Sequence, residues 1–222
     1  MKIVLYSGGQ SRSNHKLHRA VVELAQQGKK STHPLQLTYI PFCSDNASIF
    51  YHRTIRRFRS HGVERFFCLH VDASPGVHEI EEALRSDIIY LAGGNTFYFL
   101  KHLREAGMLD RLEKFTKKGG VLAGLSAGAL IMSPTIKLAA DHGLGPDPNE
   151  VGLKNLKGIG LFPFEFSPHF HETPSEIKAH QAYSKKTRNP VYAVKDGSGV
   201  VITKNKISIV GEASIFYRGK KQ

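Results

Sequence analysis

The stretch GGVLAGLSAGALIMSPT, Gly119 to Thr135, decides the fold. Gly120 to Gly124 is a short apolar run without polar interruption, of the kind found where a strand is buried on both faces. At Gly124 the pattern collapses into small residues around one serine, and apolar residues then resume. A strand that turns sharply into a helix fits this order. Gly124-Leu125-Ser126-Ala127-Gly128 matches the G-x-S-x-G elbow, in which a serine is held at the tip of such a turn. Taken alone, the pattern fits equally a glycine-rich turn whose serine only caps the helix.

Working outward, further short runs rich in β-branched and aromatic residues read as strands: Lys2 to Tyr6, Gln36 to Ile40, Arg65 to Val71 and Asp87 to Leu91. Between them lie amphipathic segments. Leu17, Ala20, Val21, Leu24 and Ala25 form one helical stripe, and Ile80, Ala83 and Leu84 begin another. This βαβα order predicts an α/β fold, a mostly parallel sheet flanked by helices and joined by right-handed crossovers. Beyond residue 190 the texture changes. VYAVK, GVVIT and KISIV, within Val191 to Val210, are separated by the short turns DGS and KN, which predicts a C-terminal antiparallel β-meander.

The 222 residues fit one domain spanning 1–222, and 41% hydrophobic content is enough for a sizeable core. No run approaches the 18 uninterrupted apolar residues of a membrane-spanning helix, so no membrane partner is expected. MKIVLYSGG reaches glycines too soon for a signal peptide, and the reading is cytoplasmic. Cys43 and Cys68 lack disulfide or metal-ligand spacing and read as buried thiols. The net charge of +12 raises nucleic-acid binding. However, the basic clusters at Tyr51 to Gly62, Lys185 to Arg188 and Lys220-Lys221 are scattered and carry no recognition motif. Solvated helix faces explain them, and no nucleic-acid partner is expected.

In an open parallel sheet the ligand crevice lies beyond the carboxyl ends of the strands. Three loops sit there: AGGNTF (Ala92 to Phe97), LSAGA around Ser126, and SPHFHE (Ser167 to Glu172). The first could cradle a phosphate at a helix N-terminus, yet lacks the spacing of either nucleotide-binding glycine motif. A serine hydroxyl needs a base, and that base needs an orienting acceptor. His169 and His171 are candidates for the base. Asp141 and Asp147 are candidates for the acceptor, with Glu172 behind them. His169, His171 and Glu172 could alternatively ligate a metal, but no further ligand cluster accompanies them, and no metal or cofactor is expected.

Together, GGNTFYFLK (Gly93 to Lys101), GLSAGA, SPTI, Asp141 fifteen residues after the serine, and SPHF resemble, in order, the aspartyl dipeptidase (peptidase E) family. These are serine peptidases related in fold to class I glutamine amidotransferases and to cyanophycinase. The resemblance implies a flavodoxin-like sheet and a small-peptide substrate, in a monomer or homodimer. It carries the nucleophile onto Ser126, the base onto His169, the acid onto Asp141 and the oxyanion donors onto the amides of Gly94 and Ala127. Asn95, Thr96 and His171 become the residues beside substrate.

The family's arginine-containing segment after the histidine reads ETPSEIKAHQAYSKKTR here, Glu172 to Arg188, leaving His171, Lys178 or Arg188 to meet an acidic side chain. A lysine point charge does not reproduce an arginine fork, so a weaker preference for N-terminal aspartate is expected. Leu125 replaces the family's tryptophan, and Leu130 a polar residue. A cyanophycinase-like amide hydrolase and a non-catalytic binding protein are the alternatives.

Overall fold

The structure is a computed structural model that describes residues 1–9, 12–27, 33–42, 47–144, 147–204 and 206–222. The first half alternates as expected: β1 (Lys2–Tyr6), α1 (His15–Gln26), β2 (Leu35–Ile40), α2 (Ala47–Arg59), β3 (Val63–Cys68), α3 (Val77–Leu84) and β4 (Ile88–Leu91). Then follow α4 (Thr96–Glu105), α5 (Met108–Lys117), β5 (Val121–Leu125) and α6 (Ala127–Ile131). The last part contains β6 (Glu165–Ser167), α7 (Pro174–Lys186), β7 (Val191–Val194), β8 (Gly199–Thr203), β9 (Lys206–Val210), β10 (Ala213–Tyr217) and β11 (Lys220–Lys221).

A seven-stranded sheet runs in the order β3-β2-β4-β5-β1-β8-β9, with β1 to β5 mutually parallel and β8 and β9 antiparallel. Its central strands are apolar throughout because both faces are covered. On β1, Ile3 and Leu5 belong to one buried cluster and Val4 and Tyr6 to the other, all 0% exposed. Leu17, Val21 and Leu24 of α1 and Phe58 of α2 cover the second face. The first face is covered by Ile80 of α3, Phe97 and Leu100 of α4, Leu112 of α5 and Ile131 of α6. The arginines of the Tyr51 to Gly62 run lie on α2, with Phe58 as its buried anchor.

Two sequence expectations are refined. The run Arg65 to Val71 forms strand only as far as Cys68, and β3 is the sheet's edge, which is why Glu64 and Arg65 are exposed within it. The C-terminal antiparallel strands are present but divided between sheets. GVVIT and KISIV form the β8–β9 hairpin on β1, whereas VYAV is β7 of a smaller sheet ordered β11-β10-β7-β6. There β7 pairs parallel with β6 and antiparallel with β10. Phe164, Phe166, Val191 and Phe216 seal this smaller sheet against the first face of the main one. DGS is therefore the crossing between two sheets rather than a hairpin turn.

Candidate active site

Ser126 sits at φ 50° and ψ −110°, between β5 and α6. A non-glycine residue in this region costs about 1–3 kcal/mol and persists only where its surroundings hold it. Here the Ser126 N–H donates to the Tyr6 carbonyl at 2.9 Å, and the Ser126 carbonyl accepts the Leu130 N–H at 2.9 Å. The second elbow glycine is required by close approach. A Cβ on Gly128 would lie 2.5 Å from the Leu91 carbonyl oxygen, so only glycine lets α6 start against the end of β4.

The Ser126 hydroxyl lies 2.8 Å from His169 Nε2, and His169 Nδ1 lies 2.8 Å from Asp196 Oδ1. A carboxylate only accepts, so the imidazole proton sits on Nδ1 and the Nε2 lone pair receives the serine O–H. The His169 and Asp196 side chains are 48% and 47% exposed, so this pair orients the ring and adds little stability. Ser7, buried just beyond β1, fixes the arrangement. Its hydroxyl accepts the His169 N–H at 2.7 Å and donates to the Val194 carbonyl at 2.8 Å, with Asp196 Oδ1 3.2 Å away. The same hydroxyl thus holds both the loop carrying the histidine, itself at φ 59°, and the strand leading to the aspartate.

Gly8 passes directly beneath the pair. A Cβ there would stand 2.3 Å from Asp196 Oδ1 and 2.6 Å from His169 Cε1. Gly8→Ala is expected to cut any turnover by about 100-fold, the cost of roughly 1 Å of misplacement. Because both displaced side chains are half-exposed and free to yield, the melting temperature should move far less. Parallel rate and melting measurements check this, and an unchanged rate would show that the pair tolerates displacement.

Asp141 lies elsewhere, correcting its expected partnership with His169. It ends a 3₁₀ turn, its Oδ1 accepts the Gly143 N–H at 3.0 Å, and Oδ2 stands 3.7 Å from Lys186 Nζ. It lines a different hollow, with Glu165 and Tyr183. Glu172 is also committed: Lys195 and Lys221 hold its carboxylate and lower its pKa to about 2. Asp196 escaped the sequence reading because Asp-Gly followed by a strand reads as hairpin punctuation. The usable signal was its place at the carboxyl end of a strand, where the crevice gathers side chains.

Ser126 and His169 open onto a cleft of about 400 Å³. Its floor and walls include Leu130, Leu138 and Phe170, all buried. Gly94, at φ 144°, stands against the Phe42 ring, and Ala127 opens α6, where first-turn amides lack intrahelical partners. Asn95 is spent on structure: its Oδ1 accepts the Tyr98 N–H and caps α4, while Nδ2 donates to the Pro148 carbonyl. Thr96 lines the cleft, and its N–H donates to Asp147 Oδ2 at 2.8 Å.

His171 also lines the cleft. Glu176 accepts its backbone N–H at 2.7 Å and stands 3.1 Å from its Nδ1. Behind it, His180 donates from Nδ1 to the Glu176 carbonyl and accepts from the Ser167 hydroxyl at Nε2. Burial lowers its pKa, which leaves the ring neutral at pH 7. Cys68 is a half-buried free thiol pushed up to about 11 by burial, so it stays protonated; Cys43 lies outside the described residues.

The fold and site define an α/β protein with a serine elbow at the carboxyl edge of a mostly parallel sheet. The model of peptidase family S51 matches residues 3–210, and the chain belongs to that family. It is 36% identical over 117 residues to peptidase E of Salmonella arizonae, covering 51% of this chain and 48% of that protein. With peptidase E of Citrobacter koseri it shares 26% identity over 148 residues, covering 61% and 62%. The chain therefore spans about half the length of the first of these curated relatives. Two solved structures share the fold. A candidate peptidase E protein from Listeria monocytogenes EGD-e has TM-score 0.69 at 23% identity, covering 94% of this chain and 96% of that one. A peptidase from an acI-B1 Actinobacterium has TM-score 0.74 at 18% identity, covering 100% and 92%.

Proposed function

We propose that the protein is a serine peptidase acting on small peptides, with Ser126 as nucleophile, His169 as general base and Asp196 as the acid that orients it. The observation carrying this is the pair of 2.8 Å contacts from Ser126 to His169 and from His169 to Asp196, on a strained elbow that aims the hydroxyl into a cleft. His169 Nε2 takes the serine proton as Oγ attacks the scissile carbonyl, and the protonated ring returns that proton to the leaving amine. Water then attacks the acyl-enzyme by the same route in reverse, freeing the serine.

The amides of Gly94 and Ala127 take the oxyanion role. They belong to loops at the ends of adjacent strands, and Ala127 adds the favourable field of a helix start. The cleft's modest volume favours a dipeptide or similarly short substrate over a folded protein. No lysine or arginine lines the cleft among the described residues, and His171 is engaged by Glu176, so the cleft offers no free cation to an N-terminal aspartate.

Reaction with a fluorophosphonate serine probe tests the reading. One adduct is expected, located by mass spectrometry on the peptide bearing Ser126, and it should be absent from a His169→Ala variant. Labelling that is indifferent to His169 would remove the activated-serine mechanism.

A further inference from the structure

In a chain of net charge +12, the cleft beside Ser126 is lined by carboxylates as its only fixed charges among the described residues: Asp147 and Glu176. The two differ in what they have left to offer. Both Glu176 oxygens face His171, one at its backbone N–H and one at Nδ1. Asp147 uses only Oδ2, for the Thr96 N–H, and no described group bonds its Oδ1. The remaining wall is apolar, built by Leu130, Leu138 and Phe170, with 4%, 5% and 3% exposure.

We infer that the cleft takes a peptide by its free α-ammonium group, held by Asp147, and selects an uncharged, apolar N-terminal side chain. This rests on the serine-peptidase reading and specifies its substrate. A charge-assisted hydrogen bond from an ammonium group satisfies the spare carboxylate oxygen. An acidic side chain entering the same space would meet two carboxylates without a facing cation, and like charges in a partly dry cleft repel. A guanidinium or lysine side chain would have to bury its charge against leucines, while the carboxylate of Glu176 stays engaged by His171. Leu130 and Leu138 instead gain from covering an aliphatic side chain, at about 25 cal/mol per Å² of apolar surface removed from water.

Asp147 also serves as a cap for α4, and the choice of variant separates the two roles. Asp147→Asn keeps an oxygen for the Thr96 N–H and removes only the charge. Rates with Leu-Leu, Asp-Leu, Arg-Leu and N-acetyl-Leu-Leu are compared for the parent and this variant. Leu-Leu is expected to be fastest, with the acetylated peptide at least about tenfold slower in kcat/KM, the loss of one hydrogen bond to a charged group. In Asp147→Asn the KM for Leu-Leu should rise about 10- to 100-fold with kcat little changed, erasing the advantage over the acetylated peptide. Faster cleavage of Asp-Leu or Arg-Leu, or an unmoved KM in the variant, overturns the inference alone, provided the fluorophosphonate probe still labels Ser126. Failure of both labelling and hydrolysis overturns the peptidase reading, and this inference with it.

Discussion

If the proposed triad operates, replacing Ser126 by alanine is expected to lower kcat/KM for any peptide substrate by about 10⁴-fold or more, the scale of losing a triad nucleophile. Alanine carries the same backbone strain at φ 50° and introduces no new bulk, so the elbow's hydrogen bonds to Tyr6 and from Leu130 should persist. Melting temperature and circular dichroism should therefore match the parent while turnover disappears. The residual rate would come from the oxyanion donors and from binding, neither of which needs the hydroxyl. An alanine variant that cleaves at the parental rate would make the serine a helix cap and nothing more.

The second large effect concerns the acid. Asp196→Asn is expected to cost about 10²- to 10⁴-fold in kcat, because an amide can present its NH₂ to Nδ1 and favour the tautomer that leaves no lone pair for the serine proton. The lower part of that range applies if water substitutes at a pair that is about half-exposed on each side. Asp141→Asn is expected to be the milder change by at least about tenfold, since asparagine still accepts the Gly143 N–H and the exposed Lys186 pair contributes little. Its effect should appear in KM, because the segment it braces carries Leu138 and Ala139 to the cleft wall. Measured side by side, the two variants decide the role: a larger kcat loss for Asp141→Asn would return the acid function to that residue.

Much of the architecture was legible because β1, β4 and β5 are covered on both faces, which writes continuous apolar runs into the chain. The elbow was legible for a steric reason, since Gly128 has no room for a Cβ. The small sheet was not. VYAV and GVVIT have the same composition, and periodicity says only that each is a strand, not which sheet it joins. Asp196 was lost with that distinction, as its meaning depends on β7 lying beside β6. Asn95 carried the opposite problem. A polar residue in a crevice loop looks like substrate contact in sequence, yet the Asn95 amide is occupied in capping α4 and in holding the Pro148 carbonyl to its start.

The serine follows β5 of the large sheet, whereas the histidine and aspartate follow β6 and β7 of the small one. Neither sheet holds all three side chains of the proposed relay, so that chemistry would be a property of the seam. Beside the apolar cluster that the two sheets share, polar bonds set that seam at the site, among them Ser7 Oγ to the Val194 carbonyl, the His169 N–H to Ser7 Oγ, and the Gly197 N–H to the Gly8 carbonyl. Such local contacts open at lower free energy than a core melts. On the proposed mechanism, turnover would act as a coincidence detector for docking, falling silent when the halves part by a fraction of a bond length while each keeps its strands. In a denaturant titration, activity should fade ahead of the circular dichroism signal.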